Sequence, residues 1–264
     1  MTRVLSGAVL LVFFVGAAWW APPVALLVIA LAVTALAALE YAGLSRQLGA
    51  EVPPVFVVVA ACAVCAATAW PYADDGSVVM ATALAAGILG VGRGHPAADS
   101  LSRVASSVFG PLYVGLPIGA IVAVHWQFGR EAMLLLLVIV IVSDTAQYYA
   151  GRALGRKPLA PSLSPKKTVE GAVGGLVAGS AALAVLGHWW WPDAPVAVRA
   201  ALGATLVVLG ITGDLFESLL KRAAGVKDSS QLIPGHGGVL DRIDALLFAA
   251  PVYYVVTRAL ARLP

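Results

Sequence analysis

Long apolar runs, separated by short polar connections, recur from the first residues of the chain to the last. A helix that crosses a membrane needs about 20 predominantly apolar residues, within a range of ~17–25. On that rule the pattern predicts about nine such helices, centred on residues 4–20, 23–39, 55–70, 77–92, 104–124, 132–150, 171–189, 198–219 and 243–261. The expected fold class is all-α, a polytopic membrane protein. The first run could pass for a signal peptide, but no small-x-small cleavage site follows it and more runs come after. It is therefore read as a retained first helix.

Composition agrees with the pattern. Of 264 residues, 60% are hydrophobic and 12% charged, and mean hydropathy is +0.90. A soluble domain carries about 25% charged residues. Cys62 and Cys65 spell CxxC within the run VFVVVAACAVCAATAW. A redox pair needs an aqueous, electropositive setting, which this run lacks, so both read as small residues of a lipid-embedded helix.

The 17 lysines and arginines set an orientation. With the N-terminus in the cytoplasm, Arg3, Arg46, Arg93, Arg103, Arg152, Arg156, Lys157, Lys166, Lys167, Lys221, Arg222, Lys227 and Arg242 fall inside. Arg130, Arg199, Arg258 and Arg262 fall outside, the last two fitting poorly. The bias follows the positive-inside rule and turns both highly charged connections, 151–170 and 220–242, toward the cytosol. Chemistry divides the chain likewise. Residues 1–130 are plain apolar helices, expected to supply scaffold, lipid access or a dimer contact; residues 131–264 hold the dense polar motifs. Asp74 and Asp75 are expected to solvate a short outer turn, and Trp189, Trp190 and Trp191 to anchor an interface. His95, His125 and His188 stand singly near helix ends, where solvated or interfacial roles are expected rather than ligation.

Carboxylates occur where apolar runs end. Asp144 follows Met133–Ser143, and Asp214 and Glu217 hold comparable places in VLGITGDLFESLLKR. Such acids cost ~2.5–3.5 kcal/mol each on insertion scales and usually face a cavity or a partner. Asp214, Glu217, Ser218 and Lys221 share one helical stripe, as do Asp144, Tyr148 and Gly151, with Arg152 adjacent. A carboxylate that holds a hard cation, followed by a base that contacts phosphate, suits a metal-and-phosphate site. In SLSPKKTVEGAVGG, Ser164 and Pro165 are expected to cap and begin a helix. Lys166 and Lys167 would then stand at its anion-attracting end.

The stretch LKRAAGVKDSSQLIPGHGGVLDRIDALL, residues 220–247, concentrates this chemistry. Lys221, Arg222 and Lys227 offer positive charge for phosphates. Asp228, Asp241 and Asp244 offer oxygen ligands, and Asp241 and Asp244 share a face. Gly235, Gly237 and Gly238 allow a tight turn that presents amides to an anion. His236 could bind a phosphate or transfer a proton. A metal site among so many cations points to a polyphosphate substrate. No GxxxxGK[ST] loop is present.

These residues resemble the signature of the bacterial phosphatidate cytidylyltransferases (CDP-diacylglycerol synthases): Ser218, Lys221-Arg222, Lys227-Asp228, then Pro-Gly-His-Gly-Gly and Asp241-Arg242-x-Asp244. SDTAQYYAGRALGRK and SPKKTVEG are similar to a second block of that family, with Ser164, Lys166, Lys167 and Thr168 at its fixed positions. Gln147 stands where a small residue is expected. The resemblance implies transfer of CMP from CTP to phosphatidic acid, Mg²⁺ with a second cation, a homodimer, and a site at the cytosolic face of a bacterial inner membrane. It also implies no nucleic-acid partner. Asp214 and Asp241 are expected as main metal ligands, supported by Asp144, Glu217 and Asp244. Lys221, Arg222, His236, Lys227, Asp228, Gly237, Gly238 and Arg242 are expected around the substrates. Two other readings stay open: a cytidylyltransferase for another lipid phosphate, and an ion-coupled transporter.

Overall fold

The computed structural model describes residues 15–92, 94, 97–232 and 237–261. Its element order is α1 (Pro23–Gln47), α2 (Pro54–Ala69), α3 (Asp75–Gly92), α4 (Ser100–Phe128), α5 (Arg130–Leu154), β1 (Pro158–Ala160), β2 (Ser164–Thr168), α6 (Val169–Leu186), α7 (Val196–Ala223) and α8 (Leu240–Leu260). Among the described residues, seven helices are long and apolar enough to cross a membrane, and α2 is a shorter apolar one. The chain is thus an all-α membrane protein, as its pattern predicts. The predicted run at 4–20 lies mostly outside the described residues.

Local chemistry sets the helix ends. α1 and α2 each begin with proline in the first turn, where a missing amide costs nothing. The run expected to open at Ser164 and Pro165 begins differently. Ser164–Thr168 forms β2, paired antiparallel with β1 through Pro158↔Thr168 and Ala160↔Ser164. The cap is Thr168, whose hydroxyl oxygen accepts from Gly171 N at 3.1 Å. Glu170, in the first turn of α6, accepts from the amides of Arg156 (3.0 Å) and Lys157 (3.2 Å) and so clasps the base of the hairpin. Strand pairing, not a helix end, therefore fixes Lys166 and Lys167.

The chain packs as two units. One comprises Met1–Gln127 with Leu220–Ile243, the other Phe128–Leu219 with Asp244–Pro264. In the first, α4 closes on α2 where Gly115 and Gly119 lack side chains; a Cβ on either would strike the carbonyls of Ala61 and Cys65. Tyr41 Oη donates to Ser106 O at 3.0 Å across α1 and α4. Cys65 is buried and both cysteines are free thiols within α2.

In the second unit, α6 lies against α5 along Gly171, Gly174 and Gly175. An added Cβ at Gly171 would stand 2.8 Å from Gln147 O, and one at Gly174 would strike the Ala150 methyl. Tyr253, fully buried in α8, donates to Ala132 O at 2.8 Å. Trp191 packs on the Tyr253 ring at 6.1 Å while Trp189 is exposed, so only part of the tryptophan triplet faces outward.

Candidate active site

Each unit carries one group of the charged motif residues. In the first unit α7 ends at Ala223, and Gly225, two residues on, holds the left-handed φ of 72°. Val226 N reaches back to Lys221 O at 2.9 Å and Gly225 N to Arg222 O at 3.1 Å, closing the last turn. Arg222 donates to Val226 O at 2.9 Å and is otherwise exposed with Lys227 and Asp228.

Asp241, in the first turn of α8, is the centre of this group. Its Oδ1 accepts from Lys221 Nζ. Its Oδ2 accepts from Ser229 N at 2.9 Å and Gly238 N at 2.8 Å, with the Ser229 hydroxyl also at 2.8 Å. The ion pair is buried, with side-chain exposures of 11% for Lys221 and 6% for Asp241. Lys221, expected on phosphate, and Asp241, expected on metal, thus neutralise each other. The Gly238 amide points at this carboxylate, and Gly237 takes a φ of 78°, which makes the turn. His236 and Gly235 lie outside the described residues.

A residue absent from the sequence-predicted set completes the group. Glu40 of α1 is 8% exposed. Its Oε1 accepts from the Ser230 hydroxyl (2.6 Å) and Val239 N (2.9 Å). Its Oε2 accepts from Leu240 N (2.8 Å) and lies 3.0 Å from the Ser229 hydroxyl. The signal for it was a lone carboxylate closing the apolar run at 23–39, the same signal that singled out Asp144.

The second unit gathers Asp144 (α5), Lys167 (β2), Asp214 (α7) and Asp244 (α8). Lys167 Nζ pairs with Asp214 Oδ2 at 2.5 Å, and Asp214 keeps 36% of its side chain exposed. Asp144 and Asp244 lie within electrostatic reach of Asp214, of Lys167 and of each other. Gly213 brings α7 and α8 together here, since a Cβ on it would overlap Asp244 O. Gln147, at the position where a small residue was expected, donates to Asp144 Oδ1 and to Ser143 Oγ, both at 3.1 Å.

The other sequence-predicted residues divide by exposure. Glu217 is 1% exposed, and Ser218 is buried with its hydroxyl 3.5 Å from Asp214 Oδ1. Lys166 and Arg242 are exposed, and Ser164 is half-buried in β2. The stripe expected on α5 separates. Gly151 faces Thr168 of the hairpin base, whereas Tyr148 is exposed and accepts from Arg152 at 3.3 Å.

The two groups differ as hosts for a divalent cation. Asp144, Asp214 and Asp244 are three oxygen donors offset by one lysine, the donor type a hard cation takes. Asp241 has its oxygens committed to Lys221, Ser229 and Gly238. Among the described residues, no three His, Cys, Asp or Glu side chains already stand in a ligating arrangement.

Comparison with known proteins brings both groups under one description. A family model described as the cytidylyltransferase family matches residues 1–260. The chain is similar to a phosphatidate cytidylyltransferase of Synechocystis, 42% identical over 163 residues, covering 58% of this chain and 55% of that protein. It is also similar to one from Pseudomonas aeruginosa, 43% identical over 136 residues (51% of this chain, 50% of that one). A third similarity is to a chloroplastic phosphatidate cytidylyltransferase of Arabidopsis thaliana, 45% identical over 136 residues (51% and 33%). The chain spans about half the length of the curated bacterial relatives it matches. Because the family model runs through every helix that carries a motif residue, the chain belongs to the cytidylyltransferase family.

Proposed function

We propose that this protein transfers CMP from CTP to phosphatidic acid, giving CDP-diacylglycerol and pyrophosphate. The observation that carries the reading is the family match across residues 1–260, in a chain with seven helices fit to cross a membrane. Relatives named for phosphatidate supply the acceptor.

A phosphate oxygen of phosphatidic acid attacks the α-phosphorus of CTP. The bond from that phosphorus to the oxygen bridging to the β-phosphate breaks, and pyrophosphate leaves with the electron pair. The attacking phosphate monoester is already ionised near neutral pH, its second pKa being about 6, so no strong base is required. His236 is accordingly assigned to phosphate binding or turn ordering.

Mg²⁺ would be held by Asp144, Asp214 and Asp244. When bound, it neutralises charge on the phosphates and on the leaving pyrophosphate. Lys221, held in place by Asp241, is assigned to a substrate phosphate. Exposed Arg222, Lys227 and Lys166 would attract the triphosphate, and Lys167 would bring a cation to the acidic group. The reaction is assigned to the cytosolic face of a bacterial inner membrane, following the lysines and arginines of 151–170 and 220–242. A homodimer is the proposed assembly.

The test is pyrophosphate release by detergent-purified protein given CTP, phosphatidic acid and Mg²⁺, with Asp214→Asn alongside. Release that needs all three and is lost in the variant supports the reaction and the acidic group together. Release unaffected by Asp214→Asn removes that group from the chemistry. Turnover of another lipid phosphate, with none of phosphatidic acid, replaces the acceptor.

A further inference from the structure

We infer that Glu40 is a positioning residue: it clamps both ends of the 229–240 segment and thereby sets Asp241 and Lys221 for the reaction proposed above, on which this inference rests. The geometry is specific. Ser229 and Ser230, six and seven residues past the end of α7, and Val239 and Leu240, where the chain enters α8, all converge on one carboxylate that belongs to a helix early in the chain. The amides of Val239 and Leu240 belong to the start of α8, where a helix leaves amides without intrahelical partners. Asp241 of the same first turn takes the Gly238 amide, and Glu40 takes the Val239 and Leu240 amides from α1.

Three details separate this contact from ordinary packing. First, Glu40 is 8% exposed, so its charge is stabilised by these donors rather than by water. Second, Ser229 Oγ lies 3.0 Å from Glu40 Oε2 and 2.8 Å from Asp241 Oδ2. A hydroxyl has one proton, so it donates to one carboxylate at a time; lying within bonding distance of both, this serine couples the place of Asp241 to that of Glu40. Third, a Cβ on Gly238 would stand 2.5 Å from both Glu40 oxygens, so the second glycine of the Gly237-Gly238 pair makes room for the clamp.

Glu40→Gln tests the clamp because it keeps the shape and loses half the acceptors. The amide nitrogen would face a hydroxyl, which can turn to accept, and a backbone N–H, which can only donate and loses its acceptor. The measurements are kcat and KM for CTP per folded enzyme in detergent, and peptide-resolved hydrogen exchange on full-length protein. The expected result is kcat at least tenfold lower, KM for CTP changed by less than threefold, and exchange at least tenfold faster in peptides covering 229–241 only. A kcat within twofold of wild type overturns the inference. So does a loss that matches the unfolded fraction, or faster exchange spread along the chain. A lower kcat without a local change in exchange overturns it as well, because Glu40 would then act other than by holding the segment. Wild-type protein that releases no pyrophosphate sinks the transferase reading instead, and the exchange arm alone then judges the clamp.

Discussion

Gly238 and Gly225 offer a controlled comparison of the two reasons for which a chain keeps glycine. Gly225 has a left-handed φ of 72° and open space around it. Gly238 has no positive φ, but an added Cβ would lie 2.5 Å from both Glu40 oxygens and closer still to the Ser229 hydroxyl. An ordinary carbon–oxygen contact is about 3.3 Å, so Gly238→Ala requires the carboxylate and the segment to part by about 0.8 Å. Hydrogen bonds of 2.8 and 2.9 Å to Leu240 N and Val239 N would then stretch to about 3.6 Å, beyond bonding range. Bonds to a charged group are each worth about 1.5–3 kcal/mol, and partial relaxation returns some of that. A cost of about 3 kcal/mol follows, near the top of the usual overpacking range of about 1–3 kcal/mol. Gly225→Ala, strained in backbone alone, costs about 1–2 kcal/mol. The assay is pyrophosphate release per folded protein, with thermal stability in the same detergent. If the lost energy falls on the transition state, Gly238→Ala lowers kcat by about a hundredfold, whereas Gly225→Ala lowers Tm and spares kcat. A fully active Gly238→Ala enzyme, or equal loss of activity in both variants, would refute the reasoning.

Three further outcomes are expected. Lys221→Met leaves the Asp241 charge buried without its cation. Breaking such a pair costs about 3–5 kcal/mol, so the free energy of unfolding in detergent and SDS should fall by at least about 3 kcal/mol; a drop below 1 kcal/mol would show that the Ser229 and Gly238 donors suffice. Gly213→Ala pushes α7 from α8 beside Asp214 and Asp244, at about 1–3 kcal/mol, and should raise the Mg²⁺ concentration for half-maximal activity; an unchanged requirement removes Asp244 from the metal group. Gln147→Ala withdraws a neutral donor from Asp144 and frees that oxygen. Half-saturating Mg²⁺ should fall by up to about fivefold, the value of one net hydrogen bond, and a rise would show that Gln147 orients the ligand instead.

The helices were legible in the sequence because hydrocarbon imposes one length and one composition on every crossing element. The acidic group was legible for the same reason, since Asp144 and Asp214 interrupt apolar runs at a visible cost. The β1–β2 hairpin was not. Its five-residue strand carries two lysines and a proline and looks like a helix start, and only pairing with Pro158–Ala160 shows otherwise. The partner of Asp241 was ambiguous in another way. Charge alone cannot say whether a lysine twenty residues away serves a substrate or a neighbour, and the structure pairs them. Glu40 escaped because its donors lie in the last quarter of the chain and no periodicity links them to α1.

That separation orders events in time. Glu40 and Leu240 are 200 residues apart, a very non-local contact, whose formation must wait for loop closure across nearly the whole chain. During synthesis, at about 5–20 residues per second, α1 is complete at least about 10 seconds before its amide partners exist. For that interval a carboxylate destined for a dry interior has only water, lipid headgroups or a chaperone for company. Ser229, Ser230, Val239 and Leu240, made late, are the donors that discharge this debt, so a ribosome that stalls before residue 239 leaves Glu40 without the amides that hold it.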